Sequence, residues 1–189
     1  DERIWLIIQS IKNLVRNNIE GDIVECGVWR GGNVILLGEL CKKFNFNRKI
    51  FGFDTFEGMT KPTEDDVSYF GKSARKLLQK YKKDQKNEKN IWAYSSLDDT
   101  LKNIKENTSY QNIELVKGDV KETLNQTKNL PEKISLLRLD TDFYESTKKE
   151  LEVLFPLLTS GGILIIDDYG HWKGCRKAVD EYFREKNIE

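Results

Sequence analysis

Residues 22–33 read DIVECGVWRGGN, and this stretch decides the fold. An apolar run ends at Cys26, a glycine-rich turn follows, and a helical pattern begins near Gly32. A strand that passes through such a turn into a helix predicts the first half of a βαβ unit. Glycines in the turn let a ligand approach the backbone, and the N-terminus of the helix offers free N–H donors. Because the spacing differs from the Gly-x-Gly-x-x-Gly of dinucleotide-binding proteins, a tight turn without a ligand is an equal alternative.

Four further apolar runs each end in a glycine or an acid and precede a helical pattern. Together with the first run, they predict strands over 22–27, 49–54, 112–118, 134–140 and 162–167. Strands that alternate with helices indicate an α/β fold with a doubly wound, mostly parallel sheet. Apolar spacing also predicts an amphipathic helix over 3–18. Since no repeat or linker divides the chain, we expect one domain over residues 1–189.

The charge balance and the cysteines exclude several classes of protein. The 189 residues carry 31 basic and 31 acidic side chains, whereas a protein dedicated to nucleic acids carries a basic excess. No apolar run is long enough to cross a bilayer, so we expect no membrane partner. The three cysteines form no Cys-x-x-Cys pair, which favours a reducing compartment, the cytoplasm. The sequence is compatible with a homo-oligomer and does not fix the oligomeric state.

The acids that follow the second and third strands suit the binding of a nucleoside. Asp54 closes the second strand, where an acid in a doubly wound fold accepts hydrogen bonds from both ribose hydroxyls. Asp119 and Val120 follow the third strand, where an acid binds an exocyclic amine such as that of adenine and an apolar side chain packs on the ring. Capping of the next segment is the weaker alternative for Asp54, whereas Asp119 is equally well explained as a helix cap.

Four carboxylates after the last two strands form the most informative pattern. Asp140 and Asp142 follow the fourth strand, and Asp167 and Asp168 follow the fifth. Carboxylates gathered at one edge of a sheet repel one another unless a divalent cation neutralises them. Their oxygen atoms indicate Mg²⁺, Mn²⁺ or Ca²⁺ rather than zinc. Helix capping and surface exposure are the alternative explanation.

Other segments carry weaker signals. Residues 59–75 follow the second strand and predict a lid over the site or an ordinary surface loop. Residues 72–90 are rich in lysine and predict a solvated helix face, with anion binding as the alternative. Trp29, His171 and Trp172 stand beside the strongest motifs, as pocket residues or as ordinary core and loop residues.

Five strings of residues resemble the macrocin O-methyltransferase family, the TylF/MycF-like sugar O-methyltransferases that use S-adenosyl-L-methionine. They are GDIVECGVWRGG (21–32), GFDTFEG (52–58), LRLDTDFYEST (137–147), GGILIIDDYG (161–170) and GCRKAVD (174–180). The strings follow the family's order over nearly the whole chain, which makes the resemblance specific. It implies a Rossmann-like class I methyltransferase fold, Mg²⁺ beside S-adenosyl-L-methionine, and methylation of a sugar hydroxyl on a small molecule or glycan.

Carried over onto these strings, the resemblance implies three groups of site residues. The cofactor residues are Glu25, Gly27, Trp29, Gly31, Gly32 and Asn33 for the methionine part, Asp54, Thr55 and Phe56 near the ribose, and Asp119 and Val120 at the adenine. The metal ligands are Asp140, Asp167 and Asp168. Asp142 is a further ligand or the general base, and Asp140 stands with it as a catalytic residue.

Two other functions compete with this one. The Asp-x-Asp of residues 140–142 and the later Asp-Asp also resemble Mg²⁺-dependent phosphohydrolases of the haloacid-dehalogenase type, but those proteins place Asp-x-Asp on their first strand. A non-catalytic scaffold that kept the methyltransferase fold is the other alternative. Methyltransferases of this type usually end with two more strands, one of them antiparallel, beyond the helix expected at 174–186. We therefore expect these C-terminal strands to be missing here.

Overall fold

A computed structural model gives the structure of the protein and describes residues 2–81 and 91–188. Strands and helices alternate after an N-terminal helix, as the sequence predicts. The strands are β1 Asp22–Cys26, β2 Ile50–Asp54, β3 Ile113–Lys117, β4 Ile134–Leu139 and β5 Leu158–Ile166. The helices are α1 Glu2–Arg16, α2 Gly32–Lys43, α3 Ala74–Lys80, α4 Leu97–Asn107, α5 Val120–Thr123, α6 Tyr144–Leu154 and α7 Lys173–Glu185.

The five strands form one parallel sheet in the order β3-β2-β1-β4-β5. β1 lies at the centre, and the chain crosses from β3 at one edge to β4 on the other side of β1. Because the strands are parallel, their carboxyl ends meet at one edge of the sheet, where ligands bind in such folds. The structure confirms the predicted α/β fold with its doubly wound sheet.

Alternating side chains of the strands build two hydrophobic cores, one on each face of the sheet. Ile23 and Leu136 pack with α1 and α2, whereas Val24 and Leu137 pack with α6 and α7. All four side chains are buried. Successive residues of a strand point to opposite faces, so a sheet that is covered on both faces needs nearly continuous apolar strands.

The last strand begins earlier than the sequence predicts. β5 starts at Leu158, whereas the sequence predicts a strand over 162–167. Leu158 pairs with Ile134 and Ile163 pairs with Leu136, so additional residues of β5 bulge out between these two pairs. Gly161 lies in this bulge with a φ of 81°. Gly161 and Gly162 therefore lie in a bulge within the strand.

The segment after β2 packs against the starts of α6 and α7. Ala74 and Leu78 of α3 form a small buried cluster with Phe143, Trp172 and Cys175. This cluster fixes the C-terminal end of the predicted lid segment to the rest of the protein.

The lysine-rich stretch at 72–90 is described only in part. It is helical over Ala74–Lys80, and its residues 82–90 lie outside the described residues.

Within the described ranges, no helix is both long enough and apolar enough to cross a membrane.

Candidate active site

One cleft opens at the carboxyl ends of β1, β2 and β4. Gly27 and Trp29 line it after β1, Asp54 and Thr55 line it at the end of β2, and Asp140 lines it after β4. The parallel sheet brings these residues together although they are far apart in the sequence.

The glycine turn after β1 lies directly against the chain that follows β4. Gly27 has a φ of 89°, and a Cβ atom there would lie 2.0 Å from the carbonyl oxygen of Asp140. The Gly27 N–H donates to the Phe53 carbonyl, and the Asp140 N–H donates to the Cys26 carbonyl, each at 2.8 Å. Only glycine allows this approach. The turn predicted to hold a cofactor therefore touches the segment predicted to hold a metal.

Asp54 uses its carboxylate to fix the turn after β1. Its Oδ2 accepts the backbone N–H groups of Val28 and Trp29, both at 2.8 Å. Its Oδ1 accepts the N–H of Phe56 at 2.7 Å. The Thr55 hydroxyl lies 3.5 Å from the same Oδ1 atom, so protein donors lie against both oxygens of this carboxylate. That Asp54 accepts both ribose hydroxyls stays a prediction, and a ribose would share the carboxylate with these donors.

Asp119 is a helix cap. Its side chain accepts the N–H of Lys121 at 2.9 Å and so satisfies a free donor at the start of α5. Gly118 and Val120, on either side of it, line the cleft. The cap interpretation accounts for the carboxylate of Asp119, whereas Val120 contributes an apolar side chain to the cleft.

Glu25 is a buried acid at the centre of the sheet. Its side chain is 1% exposed, and its Oε1 accepts from Asn33 Nδ2 at 2.9 Å and from Arg138 Nη1 at 2.7 Å. Its Oε2 is buried and has no hydrogen-bond partner in the part of the chain that the structure describes. Burial raises the pKa of Glu25. An oxygen of this kind is a candidate acceptor for an ammonium group of a ligand.

Three carboxylates meet beyond β4 and β5. Asp140, Asp142 and Asp168 each place an oxygen within 4.8 Å of the other two. Asp168 is buried, and its Oδ2 finds no hydrogen-bond partner among the described residues. Burial raises the pKa of Asp142, as do the neighbouring acids, and burial also raises the pKa of Asp140 against the effect of Arg138. Acids this close together need a proton or a cation between them.

Asp142 has a left-handed backbone conformation, with a φ of 68°. Contacts on both sides of it hold this conformation. The Thr141 hydroxyl donates to Glu150 Oε1 at 2.9 Å, and the Tyr144 N–H donates to Asp66 Oδ1 at 2.8 Å. Both acceptors are buried. Such backbone conformations persist only where the surroundings fix them, and they are concentrated at functional sites.

Asp167 does not join this group, contrary to the predicted ligand set. Its Oδ1 accepts from Arg138 Nη2 at 2.8 Å, and its Oδ2 lies 3.0 Å from an Nη atom of Arg3. Asp167 and Asp168 follow β5 directly, and their carboxylates reach different partners. Asp142 occupies the third place in the carboxylate group instead.

The three aromatic residues near the motifs have different roles. Trp29 lines the cleft, as the pocket interpretation predicts. Trp172 is buried and packs edge-on against Phe143 at a centroid distance of 5.5 Å, so it belongs to the core. His171 is exposed and packs edge-on against Trp172 at 5.2 Å, which agrees with the loop interpretation.

Comparison with known proteins identifies the family. The family model described as Macrocin-O-methyltransferase (TylF) matches residues 1–189. The chain belongs to this family. Members of the TylF family are O-methyltransferases, and this finding favours methyl transfer over the phosphohydrolase alternative.

Two curated relatives and one solved structure support the TylF assignment. Demethyldecarbamoylnovobiocin O-methyltransferase of Streptomyces niveus is 32% identical over 184 residues, which are 96% of this chain and 65% of that protein. The 8-demethyl-8-(2,3-dimethoxy-alpha-L-rhamnosyl)-tetracenomycin-C 4'-O-methyltransferase of Streptomyces olivaceus is 31% identical over 182 residues, covering 91% and 61%. The O-methyltransferase NovP superposes with a TM-score of 0.81 at 30% identity, covering 98% of this chain and 72% of NovP. This chain therefore spans less than two thirds of the length of both curated relatives.

In this TylF-family chain, the cleft contains part of the predicted cofactor set. The predicted residues that line it are Gly27, Trp29, Asp54, Thr55 and Val120. The other predicted cofactor residues are not part of this lining, and they are Glu25, Gly31, Gly32, Asn33, Phe56 and Asp119.

Several residues that line the cleft were not singled out from the sequence. Met59 and Thr60 line it and open the segment 59–75, which the sequence predicts as a lid or a surface loop. Ala93 lines it too, but it carries no charge and belongs to none of the five strings, so only the path of the chain brings it to the site. Thr141 and Ser146 line it as well, and these two fall within LRLDTDFYEST, so that string offered a signal for them.

Proposed function

We propose that this chain binds S-adenosyl-L-methionine and Mg²⁺ and transfers a methyl group to a sugar hydroxyl of a glycosylated small molecule. One observation carries the proposal. The turn at Gly27, which offers its backbone to a ligand, touches Asp140 in the group of three carboxylates. The relative whose name includes a rhamnosyl group supports a deoxysugar as the acceptor.

The cleft beside Gly27 fits the cofactor. Trp29 and Val120 supply apolar walls, and Gly27 lines the cleft beside them. Asp54 lines the cleft at the end of β2, and we assign its carboxylate to the ribose hydroxyls. The unpartnered Oε2 of Glu25 is the acceptor that we assign to the ammonium group of the methionine part.

The carboxylates fit Mg²⁺. The buried Oδ2 of Asp168 lacks a hydrogen-bond partner among the described residues, and Asp140 places an oxygen within 4.8 Å of Asp168. Carboxylate oxygens are hard ligands, and Mg²⁺ commonly binds one or two of them together with water or substrate oxygens. We therefore assign Asp140 and Asp168 as metal ligands. We leave Asp167, which the sequence predicts as a ligand, out of this assignment because both of its oxygens lie against arginines, Arg138 and Arg3.

Asp142 is assigned as the base that takes the proton from the attacking hydroxyl. Bound Mg²⁺ would lower the pKa of that hydroxyl. Asp142 has an oxygen within 4.8 Å of those of Asp140 and Asp168, which supports a role beside a hydroxyl that a cation on these residues would hold. Bound S-adenosyl-L-methionine would supply the methyl group: its carbon–sulfur bond would break as the hydroxyl oxygen bonded to that carbon, and Asp142 would take the proton. Orientation of the two substrates in the cleft supplies much of the rate.

The segment at 59–75 is proposed to exclude water from the reaction. Met59 and Thr60 form one wall of the cleft. Further along, Asp66 and Ser68 are buried, and Ser68 forms a β-bridge with Trp172. The segment therefore serves as a fixed wall at its C-terminal end, next to the loop that follows Asp168.

The test combines cofactor binding with methyl transfer. Calorimetry should show S-adenosyl-L-methionine binding, and labelled cofactor should methylate at least one member of a panel of rhamnosyl glycosides only when Mg²⁺ is present. The matched control is Asp142→Asn, which should bind the cofactor normally and transfer methyl at least about 100-fold more slowly. A folded sample that binds no S-adenosyl-L-methionine would overturn the proposal. Cofactor binding without transfer to any acceptor would support the scaffold alternative.

A further inference from the structure

One buried guanidinium group connects the cofactor side of the cleft to the metal side. Arg138 lies near the end of β4 with a side chain that is 4% exposed. Its Nη1 donates to Glu25 Oε1 at 2.7 Å and to Asp140 Oδ2 at 2.8 Å, and its Nη2 donates to Asp167 Oδ1 at 2.8 Å. The three acceptors lie on or directly after three neighbouring strands, β1, β4 and β5.

The sheet register makes this arrangement rigid. Glu25 and Arg138 are directly paired residues of β1 and β4, and Arg138 is in turn paired with Ile165 of β5. Asn33 holds Glu25 from the other side through Oε1. Three carboxylates therefore share one guanidinium, and the planar, forked shape of arginine is what lets a single side chain serve them together.

We propose that Arg138 is a positioning residue that couples the charge on Glu25 to the affinity of Asp140 for a divalent cation. This inference rests on the proposed function, because it assumes that Asp140 is a metal ligand. Glu25 and Asp140 compete for the same nitrogen, Nη1. When Glu25 loses its negative charge, it no longer offsets the positive charge of Arg138. Arg138 then attracts the Asp140 carboxylate more strongly. Asp140 is then a weaker ligand for a metal.

The coupling predicts an effect of a residue that lies outside the carboxylate group. Glu25→Gln keeps the size of the side chain and an oxygen that can accept from Arg138, but it removes the negative charge. We expect its affinity for Mn²⁺, measured by electron paramagnetic resonance of free Mn²⁺ without cofactor, to be about three- to tenfold lower than that of the wild type. Leu137→Val is the matched control on β4, since Leu137 is buried in the opposite core and makes none of these contacts. It should lower thermal stability and leave Mn²⁺ affinity unchanged.

A double-mutant cycle separates coupling through Arg138 from a direct effect of charge. Arg138→Gln removes the positive charge and keeps a polar side chain on β4. We expect Arg138→Gln alone to strengthen Mn²⁺ binding, because no positive charge then competes for Asp140, and Glu25→Gln to have at most about a twofold effect when added to it. Equal effects of Glu25→Gln in both backgrounds would overturn the proposal. Should one variant not fold, the other still decides, because unchanged Mn²⁺ affinity in either folded variant also contradicts it.

The same titrations distinguish this inference from the proposed function. S-adenosylhomocysteine binding is measured on each sample by calorimetry. If the Mn²⁺ affinity is the same in the wild type and in the Glu25 and Arg138 variants, the coupling is overturned and the proposed function is not. A wild type that binds S-adenosylhomocysteine but no Mn²⁺ overturns the metal site, and the coupling with it.

Discussion

Asp66 Oδ1 accepts the backbone N–H of Tyr144 at 2.8 Å, so a residue of the loop after β2 holds the first turn of α6. Its Oδ2 accepts the N–H and the hydroxyl of Thr63 at 2.6 and 2.8 Å. Tyr144 is two residues beyond Asp142. One buried carboxylate therefore ties the wall of the cleft to the segment that carries the proposed base.

Replacing Asp66 should destabilise the protein strongly. Asp66→Ala leaves the N–H groups of Thr63 and Tyr144 without their acceptor, and we expect a loss of about 2–4 kcal/mol in the free energy of unfolding, measured with urea. The neighbouring Asp65 is the control, because its contact is a half-exposed ion pair with Lys177 at 2.7 Å. Asp65→Ala should cost at most about 1 kcal/mol. Equal losses for the two variants would contradict the anchoring role of Asp66.

A second variant tests the same anchor without removing it. A Cβ atom at Gly174 would lie 2.0 Å from Asp66 Oδ1 and 3.2 Å from Tyr144 Cβ. Gly174→Ala should therefore displace the carboxylate and lower the free energy of unfolding by about 1–3 kcal/mol. Gly170→Ala is the control, since a Cβ atom there meets nothing within 4 Å. An increase in the melting temperature of Gly174→Ala would show that the contact is not close in solution.

Asparagine substitutions should identify the metal ligands. Asp140→Asn and Asp168→Asn each remove one charge next to the cation, and we expect at least about thirty-fold weaker Mn²⁺ binding. Asp167→Asn makes the same chemical change at the adjacent residue, where the carboxylate is bound to Arg138 and Arg3, and should cost only a few-fold. Titration of free Mn²⁺ measures both. A loss in Asp167→Asn as large as that in Asp168→Asn would restore Asp167 to the ligand set.

The acceptor role of Asp54 has a consequence for cofactor binding. Asp54→Asn replaces one acceptor oxygen with an NH₂ donor beside N–H groups, and we expect about 1–3 kcal/mol less stability and at least about tenfold weaker binding of S-adenosylhomocysteine. The control is Glu57→Gln, whose exposed carboxylate pairs with Lys117 at 3.0 Å. This variant should behave like the wild type in calorimetry and in thermal unfolding. If Asp54→Asn binds as tightly as the control, Asp54 does not shape the cofactor site.

The sequence predicts the sheet and the position of the site because both depend on local pattern. Apolar runs that end in Cys26, Asp54 or Asp140 mark strands, and parallel strands bring their carboxyl ends together whatever the intervening loops contain. The fold and the place of the cleft follow from that rule. The start of β5 does not, since the bulge at Gly161 depends on the register against β4.

The details of the site depend on contacts between distant residues. The Asp167 side chain departs from the predicted ligand set because Arg138 and Arg3 bind it, and nothing local to residues 167–168 indicates this. Likewise, Asp66 accepts a hydrogen bond from Tyr144, which is 78 residues further along the chain. The motif around Asp54 likewise indicates contact with a ligand. It does not indicate that the backbone N–H groups of Val28 and Trp29 already donate to one of the Asp54 oxygens.

The two hydrogen bonds from Val28 and Trp29 to Asp54 are made entirely within the protein. The turn after β1 is therefore ordered as part of folding, and its conformational entropy is lost at that stage. Ordering a backbone costs about 1–2 kcal/mol per residue, a cost that would otherwise oppose binding. A molecule that enters the cleft meets a rigid surface on this side, and its affinity is set by desolvation and contact rather than by loop closure.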